Sequence, residues 1–263
     1  MVEKDIRYDM PAQFGPSLLP DQSETEATVV VVSFETTSDA VRSILPRFFS
    51  APEKPTISFS RISYENVDYL GGRGYQEIVV GVSAVYEGGG RRIEANFAPV
   101  LWVDQPGPLM AGREFQGLAK LHGDFSPIAI GEEQISTTVS EYGAPLLTIE
   151  ANQLKQISSD KIEKLNASAS HVNTLGWKYI HGWNGQADAD YPILSVMRWT
   201  YRSAWTGMSH IKFGNPSATD APFSARVIEK LSGFPLLQAK RAFVGQGKAT
   251  IDRAATERLE RPL

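Results

Sequence analysis

The residue of this chain best suited to chemistry is Lys120, which lies in the stretch GREFQGLAKLHGD (112–124). Its neighbours are mainly apolar or small, among them Phe115, Leu118 and Leu121. A lysine amine can form a Schiff base with a carbonyl substrate, but only in its unprotonated form. A free lysine has a pKa of about 10.4, so about one in 2,500 is unprotonated at neutral pH. Burial among apolar side chains disfavours the charged form and is one route to a nucleophilic amine.

The spacing of apolar residues predicts a helix over GPLMAGREFQGLAKL (107–121). In such a helix Gln116 and Lys120, four residues apart, share a face, and Arg113 lies on that face one turn earlier. Two interpretations follow. These three polar residues either face solvent on a surface helix, or they line a site in which Lys120 is the nucleophile. The pattern alone favours the surface helix.

Other motifs for catalysis or metal binding are missing from the sequence. Its four histidines form no HExxH pair, and no GxSxG stretch is present. The glycine-rich stretches GGRG (71–74) and EGGGRR (87–92) lack the spacing of a phosphate-binding loop and predict turns. The chain has no cysteine, which excludes disulfides and thiolate chemistry. We therefore expect neither a metal site nor a cofactor.

Composition and charge narrow the class of protein. The chain has 263 residues, of which 42% are hydrophobic and 21% charged, as in ordinary globular domains. A net charge of −4 argues against a nucleic-acid partner, which would favour a basic surface. No run of apolar residues reaches the length of a membrane helix, and the N-terminus does not resemble a secretory signal. We expect a cytoplasmic protein that contacts neither nucleic acid nor membrane.

Strand-like segments outnumber helical ones. Alternating or β-branched runs include EATVVVVSFE (26–35), TISFSRISYE (56–65), YQEIVVGVSAVYE (75–87) and RRIEANFAPVLWVD (91–104). Together they predict a single α+β domain that is rich in strands, with a mostly antiparallel sheet curled into a partly closed barrel or cone and a few flanking helices. We predict an irregular N-terminal arm over residues 1–25, the domain over 26–250 and a tail over 251–263.

Four stretches of this sequence resemble segments of the acetoacetate decarboxylase-like proteins. AGREFQGLAKL (111–121) resembles the segment that carries their Schiff-base lysine, which places Lys120 at that position. YQE (75–77) is similar to their Tyr-x-Glu segment with an active-site carboxylate, here Glu77. SDAVRSILPRFF (38–49) and RSAWTG (202–207) resemble a helix and a strand of the family. The four stretches follow the family's order, and the resemblance runs from about residue 26 to residue 245.

Several positions depart from the family's pattern. The decarboxylases carry a second lysine after the nucleophile, where this chain has Leu121, and a neighbouring cation of that kind is an established way to activate a lysine. An arginine of the family aligns near Ala27, and a further pocket glutamate aligns near Arg61, where this chain has no carboxylate. With Leu121 in place of a cation, we expect Lys120 to be activated mainly by desolvation. The resemblance therefore implies an imine-forming lysine with a changed reaction.

Divergent relatives that keep the lysine and act on 2-oxo acids resemble this chain in having a glutamine four residues before it, here Gln116. The resemblance thus implies a Schiff-base lyase of the hydratase, dehydratase or aldolase type, with Lys120 as nucleophile and Glu77 as general acid/base. Tyr75 and Gln116 would orient water or a substrate hydroxyl, and Arg113 or Arg73 would bind the substrate carboxylate. It also implies a homo-oligomer, built from dimers, with a tetramer as one form. A true acetoacetate decarboxylase and a non-catalytic binding protein for a small acid are the alternatives.

Overall fold

Long strands form where β-branched and aromatic residues are densest, because such side chains pack well on a pleated surface. The computed structural model describes residues 19–130, 133–168 and 172–260. Its strands are β1 (Gln22–Glu35), β2 (Phe49–Ser50), β3 (Thr56–Val67), β4 (Arg73–Gly88), β5 (Arg91–Val103), β6 (Lys120–His122), β7 (Asp124–Phe125), β8 (Ala129–Ile130), β9 (Gln134–Glu141), β10 (Ala144–Gln156), β11 (Val172–His181), β12 (Ala187–Phe213) and β13 (Arg241–Arg258). The α-helices are α1 (Ser38–Arg42), α2 (Pro106–Glu114), α3 (Ser159–Ser168) and α4 (Ala225–Ser232).

Seven of these strands close into a ring in the order β11-β5-β4-β3-β1-β13-β12, with β12 pairing back to β11. All pairs in the ring are antiparallel except β11 with β5. That parallel seam is short, since its register joins only Thr174 to Asn96 and Leu175 to Phe97. The predicted fold class, a β-rich α+β domain with a partly closed, mostly antiparallel barrel, is confirmed.

The barrel wall is buried on both of its faces. Successive side chains of a strand point to opposite faces, so each strand contributes to two cores. On β3, Ile57 and Phe59 pack outward against the layer formed by β9, β10 and α4, whereas Ile62 and Tyr64 pack inside the barrel. Double burial explains why β4 reads as a nearly continuous apolar run, EIVVGVSAVY (77–86), and not as a simple alternation.

The helix predicted over residues 107–121 is wrong in its second half. Helix α2 ends at Glu114, and Lys120 starts strand β6, which runs parallel to β5. Gly117 has a φ of +64°, a left-handed conformation that suits glycine and turns the chain after the helix. The backbone then pairs with the edge of β5, which a continued helix could not do. Gln116 and Lys120 therefore do not share a helical face.

The predicted domain boundaries differ from the structure at both ends. Strand β1 begins at Gln22, so the last part of the predicted arm (1–25) belongs to the barrel. Residues 1–18 of that arm lie outside the described residues. Strand β13 continues to Arg258, so most of the predicted tail (251–263) is also barrel wall, and residues 261–263 lie outside the described residues. Within the described ranges, no helix is both long enough and apolar enough to cross a membrane.

Candidate active site

The Lys120 side chain enters the barrel interior and meets Glu77. Lys120 Nζ lies 2.5 Å from Glu77 Oε2, and the two side chains are only 5% and 4% exposed. Glu77 projects inward from β4, while Lys120 is brought there by the pairing of β6 with β5, in which Lys120 is opposite Leu101. The sequence predicted both residues in one site but not their direct contact. Each buried charge is thereby compensated by the other, as a buried charge requires.

A glycine leaves the space through which the lysine reaches the site. A Cβ atom at Gly112 would lie 2.5 Å from both Cδ and Cε of Lys120, far closer than van der Waals contact. Gly112, on the last turn of α2, is therefore needed for the lysine to pass the helix. The GRE stretch identified in the sequence has a physical role here, because its glycine makes room for the side chain of Lys120.

Neither arginine predicted to bind the substrate carboxylate lies in the cavity. Arg113 is exposed, and its guanidinium donates a hydrogen bond to the backbone carbonyl of Lys120 at 2.9 Å. It therefore helps to fix the backbone of Lys120 from outside the cavity. Arg73 is exposed at the start of β4 and donates to the carbonyl of Leu70 at 3.2 Å. The predicted carboxylate-binding role does not fit either position.

Arg253, on β13, is the arginine that does line the cavity, and the sequence reasoning missed it. It is 7% exposed, and one terminal nitrogen donates to the carbonyl of Pro20 and to the hydroxyl of Ser23, both at 3.0 Å. Its Nε is buried without a hydrogen-bond partner, and no ion pair joins it to a carboxylate of the described residues. The alternation Gly247, Ala249, Ile251, Arg253 along the strand places it on the inner face.

Three tyrosines surround the carboxylate. The rings of Tyr64 and Tyr75 stack with centroids 4.4 Å apart, and Lys120 Nζ is 5.9 Å from the Tyr75 ring centroid. Burial raises the pKa of Tyr75 and of Tyr64 well above the usual 10, and the charge of Glu77 adds to the effect. Burial also raises the pKa of Tyr69, whose ring lies against Arg253, to about 12. These phenols stay protonated at physiological pH and can donate hydrogen bonds into the cavity.

Gln116 lines the same cavity, although by a different route from the one predicted. It lies in the loop after α2, and its Nε2 donates to Ser195 Oγ at 3.3 Å. This contact ties the loop over the barrel mouth to β12. Pro108 and Ala111 of α2 complete that cover. Of the predicted residues, Lys120, Glu77, Tyr75 and Gln116 are brought together by the structure.

The donor set within the described residues does not suit a metal ion. No group of three or more His, Asp or Glu side chains lies close enough together to hold one. The site instead combines one amine, one carboxylate, three phenols, one amide and one guanidinium. Such a set can form an imine, move a proton beside it and bind an anion.

The family model described as acetoacetate decarboxylase (ADC) matches residues 9–251, which is most of the chain. The chain belongs to the acetoacetate decarboxylase family. The match spans the whole barrel as far as Ile251, and it includes all the predicted site residues. The recognition made from four short stretches of sequence is confirmed.

Solved structures of the family share the fold at low sequence identity. An acetoacetate decarboxylase is 14% identical with a TM-score of 0.76, covering 98% of each chain. The acetoacetate decarboxylase of Legionella pneumophila is 16% identical with a TM-score of 0.73, covering 97% of this chain and 94% of that one. The enduracididine biosynthesis enzyme MppR, complexed with pyruvate, is 18% identical with a TM-score of 0.68, covering 97% and 98%. MppR has also been solved with the condensation product of pyruvate and imidazole 4-carboxaldehyde. Comparison with curated proteins finds no match.

The residue after Lys120 has a structural role in this chain, where the family's pattern has a second lysine. Leu121 packs against the outer core, while Lys120 faces the cavity. Adjacent residues of a strand face opposite sides, so both positions follow from β6 being a strand. The expected burial of the amine is present, and its immediate partner is a carboxylate.

Proposed function

We propose that this protein is a Schiff-base lyase acting on 2-oxo acids by hydration, dehydration or aldol chemistry. The observation that carries the proposal is the buried contact between Lys120 Nζ and Glu77 Oε2 at 2.5 Å beside a cavity inside the barrel. Membership of the acetoacetate decarboxylase family supports chemistry of the Schiff-base type. MppR, which shares the fold, has been solved with pyruvate and with a condensation product of pyruvate.

The first stage forms the imine. Glu77 takes a proton from the Lys120 ammonium, and the neutral amine attacks the C2 carbonyl of the substrate. The carbonyl oxygen then leaves as water, and the product is a protonated imine between Lys120 and C2. Burial favours this stage, because it holds the amine in contact with its proton acceptor.

The second stage uses the iminium as an electron sink. In a 3-enoate, water adds at C4 and a proton adds at C3, which gives the 4-hydroxy compound. The reverse sequence removes the C3 proton and expels the C4 hydroxyl as water. Cleavage of the C3–C4 bond of the 4-hydroxy compound is the retro-aldol, which releases an aldehyde and leaves an enamine on Lys120. Glu77 is the group placed to exchange these protons, and hydrolysis of the imine restores the free lysine.

The remaining side chains would bind and orient the substrate. Arg253 replaces Arg113 and Arg73 as the carboxylate-binding group, because it is the guanidinium that lines the cavity and its Nε is unpartnered. Tyr75 and Gln116 would orient water or the C4 hydroxyl, since both line the cavity and both can donate a hydrogen bond. No cofactor takes part in this mechanism.

A turnover panel tests the reaction class. The protein is incubated with an unsaturated 2-oxo acid, with its 4-hydroxy counterpart and with acetoacetate, while ultraviolet absorbance and carbon dioxide release are followed. We expect the wild type to interconvert or cleave the 2-oxo acids, and Lys120→Ala to lose both activities. Lys178→Ala is the control and should keep them, because the Lys178 amine is exposed and donates to the carbonyl of Glu114. Carbon dioxide release from acetoacetate without turnover of any 2-oxo acid would instead establish the decarboxylase.

A non-catalytic binding role is the other alternative. It predicts that a small acid binds equally well to the wild type and to Lys120→Ala, with no turnover of any compound in the panel. A homo-oligomer built from dimers and a cytoplasmic location stay predictions, to be checked by light scattering and by fractionation of cells.

A further inference from the structure

A second cavity occupies the barrel interior beyond the catalytic one. Its walls are aliphatic on β1, where Val29 and Val31 point inward, and aromatic on β12. There the rings of Trp199 and Tyr201 stack nearly parallel, with an interplanar angle of 12° and centroids 5.5 Å apart. The cavity volume is about 150 Å³, and an apolar cavity of about that volume can hold a benzene-sized group. We call this space the distal chamber.

The distal chamber adjoins the catalytic cavity directly. Val79, Thr174 and Met197 line both spaces, so a single layer of side chains separates them. Met197 is the adaptable part of that layer, because its unbranched thioether side chain has several rotatable bonds. Its sulfur is 3.8 Å from the Tyr64 hydroxyl, which places it at the edge of the catalytic cavity. A substrate anchored at Lys120 can therefore extend into the chamber past one flexible side chain.

The chamber also has an open end. Asn96 and Asn173, at the short seam between β5 and β11, are exposed and line its mouth. On β4 the inward position is Gly81, where a Cβ atom would lie 2.9 Å from Ser58 Oγ. The side chains of Ser58 and Asn96 fill the space beside Gly81, which lies at the register shift between Val80 and Val82, where glycine commonly marks a bulge. Gly81 lies four residues beyond Glu77, which is about 13 Å along the strand.

We infer that the distal chamber is a binding subsite for a long apolar substituent of the substrate, so that the preferred substrate is an extended 2-oxo acid and not pyruvate itself. This inference rests on the proposed function, since it takes Lys120 as the point at which the 2-oxo group is held. The acid head remains between Lys120 and Arg253, and the chain passes Met197 towards the paired rings of Trp199 and Tyr201. Apolar walls of this kind stabilise an apolar chain by removing it from water.

Binding of two unbranched 2-oxo acids, pyruvate and 2-oxodecanoate, measured by calorimetry tests the inference. We expect 2-oxodecanoate to bind at least about tenfold more tightly. Ser60 faces the chamber from β3, so Ser60→Leu should fill it and reduce that preference about tenfold, whereas Ser60→Ala leaves it open and should retain the preference. Circular dichroism of both variants verifies that they fold.

The possible results separate this inference from the proposed function. Equal affinities for the two acids in the wild type, or a preference that survives Ser60→Leu, would overturn the chamber as a subsite. If Ser60→Leu lowers the affinity for both acids equally, the chamber is a passage for entry, which also contradicts the inference. Failure of the proposed function gives a different result. Borohydride would then trap no adduct on Lys120 with either acid, while the difference in affinity between the two acids would persist.

Discussion

Two buried cations lie on opposite faces of the same barrel wall, and their surroundings differ. Lys120 is inside the barrel, in contact with a carboxylate and beside empty space. Arg61, on β3, is 1% exposed on the outer face, and it lines neither the catalytic cavity nor the distal chamber. Its guanidinium donates to the carbonyl of Ile62 at 2.7 Å and to Thr137 Oγ1 at 3.3 Å, and it lies 4.6 Å from the centre of the Phe125 ring.

The difference between Lys120 and Arg61 shows what a buried cation needs before it can react with a substrate. Burial lowers the pKa of Arg61 to about 10, and the charge of Asp104 partly opposes the effect. Its hydrogen bonds nevertheless go to a backbone carbonyl and a hydroxyl, and no ion pair joins Arg61 to a carboxylate of the described residues. Burial of a cation is therefore not enough to identify a reactive site. A proton acceptor in contact with it and space for a substrate are also needed, and of these two cations Lys120 has both.

The largest expected effect comes from removing the carboxylate at the reactive cation. Glu77→Gln keeps the shape of the side chain but cannot exchange protons, so the turnover rate should fall about 10²- to 10⁴-fold. Steady-state kinetics on the best substrate of the panel measures it. Glu87→Gln, on the same strand but exposed, is the matched control and should keep the wild-type rate. Wild-type turnover in Glu77→Gln would remove Glu77 from the mechanism.

Displacement of the lysine is the next effect in size. Gly112→Ala inserts a methyl group 2.5 Å from Lys120 Cδ and Cε, so the amine must move away from Glu77. A misplacement of about 1 Å can cost about 10²-fold in rate, and we expect a fall of that order in the rate of trapping by borohydride. Gly233→Ala, at a site where an added Cβ atom would have its nearest neighbour at 3.5 Å, is the control and should react normally. Equal trapping rates in both variants would contradict the close passage of Lys120 past α2.

Replacement of Arg61 should lower the stability of the protein and leave the reaction at Lys120 unchanged. Arg61→Met leaves the Ile62 carbonyl and the Thr137 hydroxyl without their donor, so the free energy of unfolding should fall by about 1–3 kcal/mol. Trapping of pyruvate on Lys120 should continue, because Arg61 lies on the other face of the wall. Urea denaturation and adduct mass together measure the two effects. Loss of trapping in a variant that remains folded would show that the two faces are coupled.

The smallest effect concerns the tyrosines of the inner face. The folded pKa values of Tyr64 and Tyr75 are raised above 10, so the unfolded chain ionises first as the pH increases. Their contribution to stability is fully present below pH 10 and is lost above it, at about 1.4 kcal/mol per pH unit for each tyrosine. Denaturation at a series of alkaline pH values measures the slope. Tyr64→Phe should reduce it by the share of one tyrosine, and an unchanged slope would mean that this phenol is not shielded.

Much of the fold could be predicted because local pattern and burial agree along most strands. The β-branched runs of β1, β3, β4 and β5 were recognised, and with them the barrel. Helix α2 was extended too far because residues 115–121 have helical spacing, whereas the pairing of Lys120 with Leu101 is a contact that no local pattern contains. Tertiary pairing decided the structure of that segment against its local preference.

The residues that line the cavity could be predicted from the sequence where they belong to short motifs. They could not be predicted where their position depends on the closing of the barrel. Lys120, Glu77, Tyr75 and Gln116 belong to two recognisable stretches, and all four line the cavity. Arg253 lies on β13, the last strand along the chain, in a segment that was predicted to be a tail. Its approach to Tyr69, over a long separation in sequence, exists only after β13 pairs with both β1 and β12. The alternation of inward and outward residues along β13 is the signal in the sequence that places Arg253 inside the barrel.

Reductive trapping tests the central claim most directly, because it asks which atom of the protein reacts. The full-length protein is incubated with pyruvate and borohydride, digested, and examined by mass spectrometry for a reduced adduct. The mechanism predicts a single adduct on Lys120, absent from Lys120→Ala and retained in Lys178→Ala. An adduct that persists in Lys120→Ala, or no adduct in the wild type, would contradict Lys120 as the imine-forming nucleophile.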